Sequence, residues 1–226
     1  TFNPRAFEQF WRPFQPAGNL VFRELPADVQ NKMLAEMAKV VDFQLGNEFI
    51  NGEYGEEEGK FFNGILTRIV ADTDTVKVDG AQAITESNII ASFKSVAEKL
   101  PKVLQKSTNR SKVKFFVSMT NGRMYDYVLT EKPYKGVDYT GMSPERFKGY
   151  QIVPLADWPD NVIVAAYATS GMDSNFWAGV DYADDSDVVQ IDKLTNAGEK
   201  YFFKMLMKAD TNIVFGEDIV LYDGRG

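Results

Sequence analysis

A chain of 226 residues with 44% hydrophobic and 13% aromatic content is long enough to hide roughly 70–75% of its unfolded surface, as one domain or two close-knit subdomains. It contains no cysteine and no histidine, which excludes disulfides, thiolate chemistry, Ser–His–Asp triads, two-histidine metal sites and imidazole pH sensing. A formal charge of −7 and a pI of about 4.8 argue against a sequence-specific nucleic-acid reader, which needs a basic face.

Residues 1–26 are aromatic and punctuated by Pro4, Pro13, Pro16 and Pro26, which favours extended chain, with a short strand expected at Leu20–Leu25. Residue 1 is threonine, and no basic region followed by an apolar stretch opens the chain. The expectation is therefore a trimmed form without a signal peptide. From Pro26 the apolar set Val29, Met33, Met37, Val40, Val41, Leu45 and Phe49 keeps a spacing of three to four, which predicts a helix to about Ile50 with a core-packing stripe. About 24 residues make a rod roughly 35 Å long. Asn51–Gly52 marks its end, and 52–64 reads as a glycine-rich loop around Glu56, Glu57 and Glu58.

Strands are expected at Ile65–Ala71 and Val76–Val78, then a second amphipathic helix from about Glu86 to Lys106, kinked or broken at Pro101. Lys112–Ser118 reads as a strand and Thr120 as the N-cap of a short helix through Leu129. After a turn-rich stretch at 130–149, strands are expected at Gln151–Leu155 and Val162–Ala168, separated by Trp158–Asn161. Val162–Ala168 is also the longest apolar run, far short of the roughly 20 residues of a membrane-spanning helix. Further strands follow at Phe176–Tyr182, Val188–Ile191, Tyr201–Met207 and Ile213–Tyr222, with Asp210–Asn212 as a hairpin turn. Helices and strands mix without strict alternation, which favours an α+β fold over a doubly wound one.

Few residues offer chemistry. Asp181, Asp184, Asp185 and Asp187 form the densest acidic cluster, but their spacing does not fit an EF-hand loop, and Asp72, Asp74 and Asp79 fail likewise because Val76 takes a ligand position. Glu56–Glu58 could supply a carboxylate pair, although three consecutive glutamates in a glycine loop read first as solvated charge. Lys106, Arg110, Lys112 and Lys114 make the one basic patch, a surface stretch suited to phosphate or to an acidic neighbouring subunit. No nucleophile, base and oxyanion site come together. The expectation is a non-enzyme with no catalytic, cofactor-binding or metal residue.

The order of these features resembles the major capsid proteins of tailed phages, the Hong Kong 97 type fold. In that family a long spine helix leads into a glycine-bearing loop and a Gly-Ile-Leu-like strand entry. Here Pro26 to Ile50 is followed by NGEYGEEEGKFFNGIL, ending in Gly64, Ile65 and Leu66. An axial-domain helix ending in Leu-Pro, and a strand before a Thr/Asn-capped helix, correspond to Ile89–Pro101 and Lys112–Leu129. A strand with a Trp-Pro turn corresponds to Gly149–Ala166, an Asn-hydrophobic-x-Gly segment to Asn175, Phe176 and Gly179, and the closing strands to Tyr201–Tyr222. The resemblance runs over nearly the whole chain from about Leu20 and is carried by the series rather than by one motif.

It implies a peripheral domain at 1–70 holding the spine helix (about 26–50), an axial domain at 71–201, and return strands of the peripheral domain at 202–226. It also implies a phage or prophage major capsid protein that self-assembles through hexamers and pentamers into an icosahedral shell. That shell encloses double-stranded DNA without sequence-specific binding, and scaffold, portal and maturation protease are its possible partners. Such a subunit is made in the bacterial host cytoplasm and ends in the virion capsid. The family's longer N-terminal arm and extended hairpin loop have no counterpart here, because some 25 residues precede the helix. Competing readings are an encapsulin-like nanocompartment shell, a carboxylate-based hydrolase using Glu56–Glu58 or Asp181–Asp187, and a monomeric binding module.

Overall fold

The computed structural model describes residues 27–57, 59–131, 146–180, 189–193, 201–205 and 208–225, with backbone alone for 27–34, 189–193 and 201–205. The expected strand at Leu20–Leu25 and the cluster at Asp181–Asp187 lie outside these residues. The described chain falls into two compact units. One contains the helix up to Leu45 and an antiparallel strand pair. The other contains Gly46–Gly179 and Asp210–Gly226.

The long helix is present as α1, Ala27–Asn51. It ends at a close crossing of backbones. The Gly52 N–H still donates to Glu48 O at 2.9 Å, and the returning Gly64 N–H donates to Gly52 O at 2.8 Å. A Cβ on Gly64 would stand 2.5 Å from Ile50 O, and one on Gly52 would run into Glu48 O and Phe62 O. Neither position has room for a side chain. Thr67 Oγ1 also donates to Gly52 O at 2.8 Å, so this one carbonyl ties the helix end to the next element.

That next element is α2, Ile65–Ala71, a helix where a strand was expected. Its apolar residues do not alternate: Leu66 and Ile69 are buried three apart, on one helical face. The β-branched composition of ILTRIVA favours a strand, and the tertiary demand for a single buried face overrides it.

In the larger unit the sheet runs β1-β10-β5-β2-β4-β3. The strands are β1 (Val76–Lys77), β2 (Val113–Ser118), β3 (Arg146–Phe147), β4 (Tyr150–Leu155), β5 (Val162–Tyr167) and β10 (Val220–Asp223). β5 pairs antiparallel with β10 (Val220↔Ala165) and with β2 (Phe115↔Ala165), while β2 and β4 are parallel (Phe115↔Ile152). Their crossover carries α5, Met119–Glu131.

Alternation along β5 feeds two cores. Ile163 and Ala165 join Ile89, Phe93 and Val96 of α3 (Ile89–Lys99) and Tyr125 of α5. Val162, Val164 and Ala166 join Leu66 and Ile69 of α2, with Trp158, Ile219 and Leu221. Each buried Val or Ile contributes about 1.5–3 kcal/mol. Phe93 sits among the rings of Phe115, Tyr125 and Phe147 at 6.0, 5.0 and 5.5 Å.

Pro101 breaks the expected Glu86–Lys106 helix. α3 stops at Lys99, and Leu100 turns extended at ψ 136, as a residue before proline must. The chain resumes in a four-residue helix, α4, Ser107–Arg110. The cap of α5 is Ser118, whose Oγ accepts the Asn121 N–H at 3.1 Å, and not the expected Thr120. The Trp158–Asn161 turn holds by a left-handed Asn161 (φ 66), whose Oδ1 accepts the Ile84 N–H at 2.8 Å.

The expected strand at Ile213–Tyr222 is two strands. β9 (Ala209–Ile213) pairs with β6 (Phe176–Val180), and a 3₁₀ turn at Gly216–Asp218 precedes β10. Asp210–Asn212 therefore lies within a strand and not in a hairpin turn. Its Thr211 is buried and donates to Asn63 O at 2.5 Å. In the smaller unit β7 (Val189–Lys193) and β8 (Tyr201–Met205) pair antiparallel, with Ile191 opposite Phe203.

Gly64→Ala should destabilise the protein by about 3 kcal/mol through overpacking. Gly59→Ala, at φ +93 with nothing within 4 Å, should cost about 1–2 kcal/mol from conformation alone. Urea unfolding of both variants checks this, and equal losses would refute the crowding at Gly64.

Candidate functional site

Among the described residues, the carboxylates singled out by sequence do not converge. Glu56 and Glu57 are exposed, Glu57 pairing with Lys60 at 3.1 Å, while Glu58 lies outside the described residues. Asp72 accepts the Thr75 hydroxyl at 2.8 Å, and Asp79 points away to Lys99 at 3.0 Å. The hydrogen bond and charge of Lys99 lower the Asp79 pKa. Among the described residues, no three acidic groups stand close enough to hold a metal ion.

Two members of the basic patch are engaged within the chain. The Arg110 guanidinium lies 5.6 Å over the Tyr150 ring. Lys112 sits 5.4 Å over the Tyr167 ring and pairs with Asp173 at 3.2 Å. Asp173 is the centre of a small network, accepting from Thr169 Oγ1 at 2.5 Å, Lys112 Nζ at 3.2 Å and Tyr167 OH at 3.0 Å. These donors, Thr169 foremost, hold its carboxyl at about 2. The Tyr167 hydroxyl and Asp173 together raise the Lys112 pKa. The network pins the Thr169–Asn175 loop and presents no free reactive group.

What remains is apolar surface exposed among the described residues. The stripe read as core packing on α1 is not core in most of its described part: Met37 and Val40 are exposed, while Val41 and Leu45 are half-buried; Phe43, outside that stripe, is 70% exposed. Phe49, nearer the helix end, packs on Phe62 at 5.3 Å between ring centres. Periodicity locates an apolar face but does not say what covers it.

A second exposed group was not legible in advance. Trp177, Val214 and Phe215 lie open around the strand pair β6–β9. Asn175, 3% exposed, fixes this loop. Its Oδ1 accepts the N–H groups of Val214 (3.0 Å) and Phe215 (2.7 Å), and its Nδ2 donates to Phe215 O at 2.7 Å. The side-chain amide thus stands in for a strand partner. Tyr54 and Phe61 form a third exposed pair on the 52–64 loop. The available signal was the large aromatics sitting in loop sequence.

No protein-family model matches the chain, and no curated protein does. Solved structures do match. Against a chain of the satellite phage P4 procapsid including the size determination (Sid) protein, the likeness covers 99% of this chain and 68% of that one, at 8% identity and a TM-score of 0.62. Against the capsid of an empty GTA particle it covers 91% and 69%, at 14% identity and 0.56. Against Mycobacterium phage Che8 it covers 100% and 81%, at 11% identity and 0.52. The chain spans 59% of the length of a chain of a virus-like particle from Pyrococcus furiosus, a looser likeness covering 70% of this chain at 15% identity and a TM-score of 0.43.

The fold is a capsid-protein fold. It is α+β and of the Hong Kong 97 type.

Two outcomes check the local geometry. The Asp173 carboxyl should titrate at about 2 by NMR, moving up toward its ordinary value in Thr169→Val. Because its folded pKa is depressed, its contribution to stability is present above about 3.8 and fades as pH falls toward 2. Asn175→Ala should cost about 3 kcal/mol in urea unfolding, since it strips partners from the Val214 and Phe215 backbone.

Proposed function

We propose that the chain is a structural shell subunit, the major capsid protein of a tailed phage or prophage. The observation that carries this reading is the extent of the likeness to the P4 procapsid chain, over 99% of this chain. A likeness confined to the six-stranded sheet would support much less. The subunit would assemble with copies of itself as hexamers and pentamers, with scaffold, portal and maturation protease as companions. It would be made in the host cytoplasm and end in the virion capsid.

Physical features favour the reading. A shell subunit works by covering its faces with other copies, so apolar side chains should remain open on the isolated chain. Phe43, Tyr54, Phe61, Trp177 and Phe215 are all in that state. A net charge of −7 opposes tight adhesion to packaged double-stranded DNA, so the shell would enclose it without reading sequence. Among the described residues, no helix is long and apolar enough to cross a membrane. A peripheral part at 1–70 and 202–226 and an axial part at 71–201 belong to the same proposal. In it β10, hydrogen-bonded to β1 and β5, ties the returning chain to the axial sheet.

Light scattering across a concentration series, with electron microscopy of the most concentrated sample, tests the proposal. Rings, sheets or shells are the expected result. A chain that stays strictly monomeric throughout contradicts it.

A further inference from the structure

We infer that the loop between α1 and α2 docks onto the Lys102–Lys106 stretch of a second copy, with Tyr54 and Phe61 as its anchors. This deepens the shell reading and rests on it for the identity of the partner.

The loop is built rather than slack. Its two ends meet through the Gly64–Gly52 hydrogen bond, the Tyr54 N–H donates to Asn63 Oδ1 at 2.9 Å, and Lys60 bridges Glu53 and Glu57 at 3.8 and 3.1 Å. Its aromatics are sorted. Phe62 turns inward onto Phe49, whereas Tyr54 and Phe61 stand 74% and 69% exposed. Aromatic rings held in place before binding lose little freedom on burial, and such residues carry much of the energy of protein interfaces. Among the described residues, neither ring is buried or paired with another ring.

Charge selects the partner. Residues 52–64 hold four glutamates against one lysine, a net charge of −3. Glu56 has no cation partner among the described residues. The complement lies in the same chain: residues 102–114 (KVLQKSTNRSKVK) carry five cations and no acid, inside a protein whose net charge is −7. Lys112 is taken by Asp173, and Arg110 lies on Tyr150. Lys102 and Lys106 are exposed and have no acidic partner among the described residues. Between them Val103 is 59% exposed. Two free cations around an open aliphatic side chain match two open rings beside the Glu56 carboxylate, in a loop of net charge −3. No hydrogen bond or ion pair joins the two surfaces within one copy among the described residues. A contact between two different surfaces is heterologous, the kind that closes rings when repeated around an axis.

The absence of cysteine makes the test clean. Glu53→Cys is placed in one preparation of the chain and Ser107→Cys in another, leaving the anchors untouched. The two are mixed, oxidised, and their linked peptides identified by mass spectrometry. The expected product is the 53–107 cross-link, about tenfold above either self-linked pair. Lys102→Glu/Lys106→Glu in the Ser107→Cys chain should remove that excess, and Glu56→Lys/Glu57→Lys in the partner should restore it. A 53–107 yield no higher than the self-linked pairs, or one indifferent to charge reversal, overturns the inference. Electron microscopy of the same sample separates the two readings. Shells without the cross-link leave the capsid proposal standing and the docking contact refuted. The cross-link in a sample that never forms rings, sheets or shells does the reverse.

Discussion

Everything in the larger unit is arranged around a strand that has no wet side. Val162, Ile163, Val164, Ala165 and Ala166 are fully buried, and a strand buried on both faces needs a covering layer above and below. α2 supplies one, α3 and α5 supply the other, and the neighbours β10 and β2 satisfy the backbone of β5 along both edges. Displacing any of these layers exposes a row of β-branched side chains, so the layers stand or fall together.

The approach to this core is controlled by polar groups at its rim. Asn161 starts β5 from a left-handed turn and binds the Ile84 N–H, Ser118 caps α5 while donating to Asp160, and Trp158 donates from its indole to Val162 O at 3.1 Å. These bonds place the Trp-Pro turn against both cores. They give a physical content to the Trp158–Asn161 feature that, in sequence, had stood only as part of an ordered series.

Legibility followed the strength of local constraint. β2 and β5 could be read because apolar β-branched runs of strand length have few alternatives, and Pro101 could be read because its ring forbids the helix on its N-terminal side. α2 could not, since seven residues are too few for periodicity to outvote the β-propensity of ILTRIVA. The Asp210–Asn212 error has a similar origin. Asp and Asn signal turns, yet here the partner of Asp210 is Arg68, at 2.8 Å and far away in sequence, and Thr211 reaches Asn63. The α1 stripe shows a deeper limit. Met37 and Val40 obey helical spacing as well as any core residue, and the sequence holds no record of whether the covering surface belongs to the same molecule. The exposure of Trp177, Val214 and Phe215 was illegible for the same reason, whereas the basic stretch from Lys106 to Lys114 stood out in the sequence through its charge alone.

Asn175 carries a consequence beyond the loop it fixes. An apolar loop free to move would fold back on its own molecule and hide Val214 and Phe215 at any dilution. Three hydrogen bonds from one buried amide remove that escape, so the free energy of covering those side chains is withheld from the isolated chain and becomes a function of how many other molecules are nearby. In the proposed shell, concentration would then act as the switch: a polar lock of this kind would keep those side chains open on the dilute chain and make association, by mass action, the route to a dry surface.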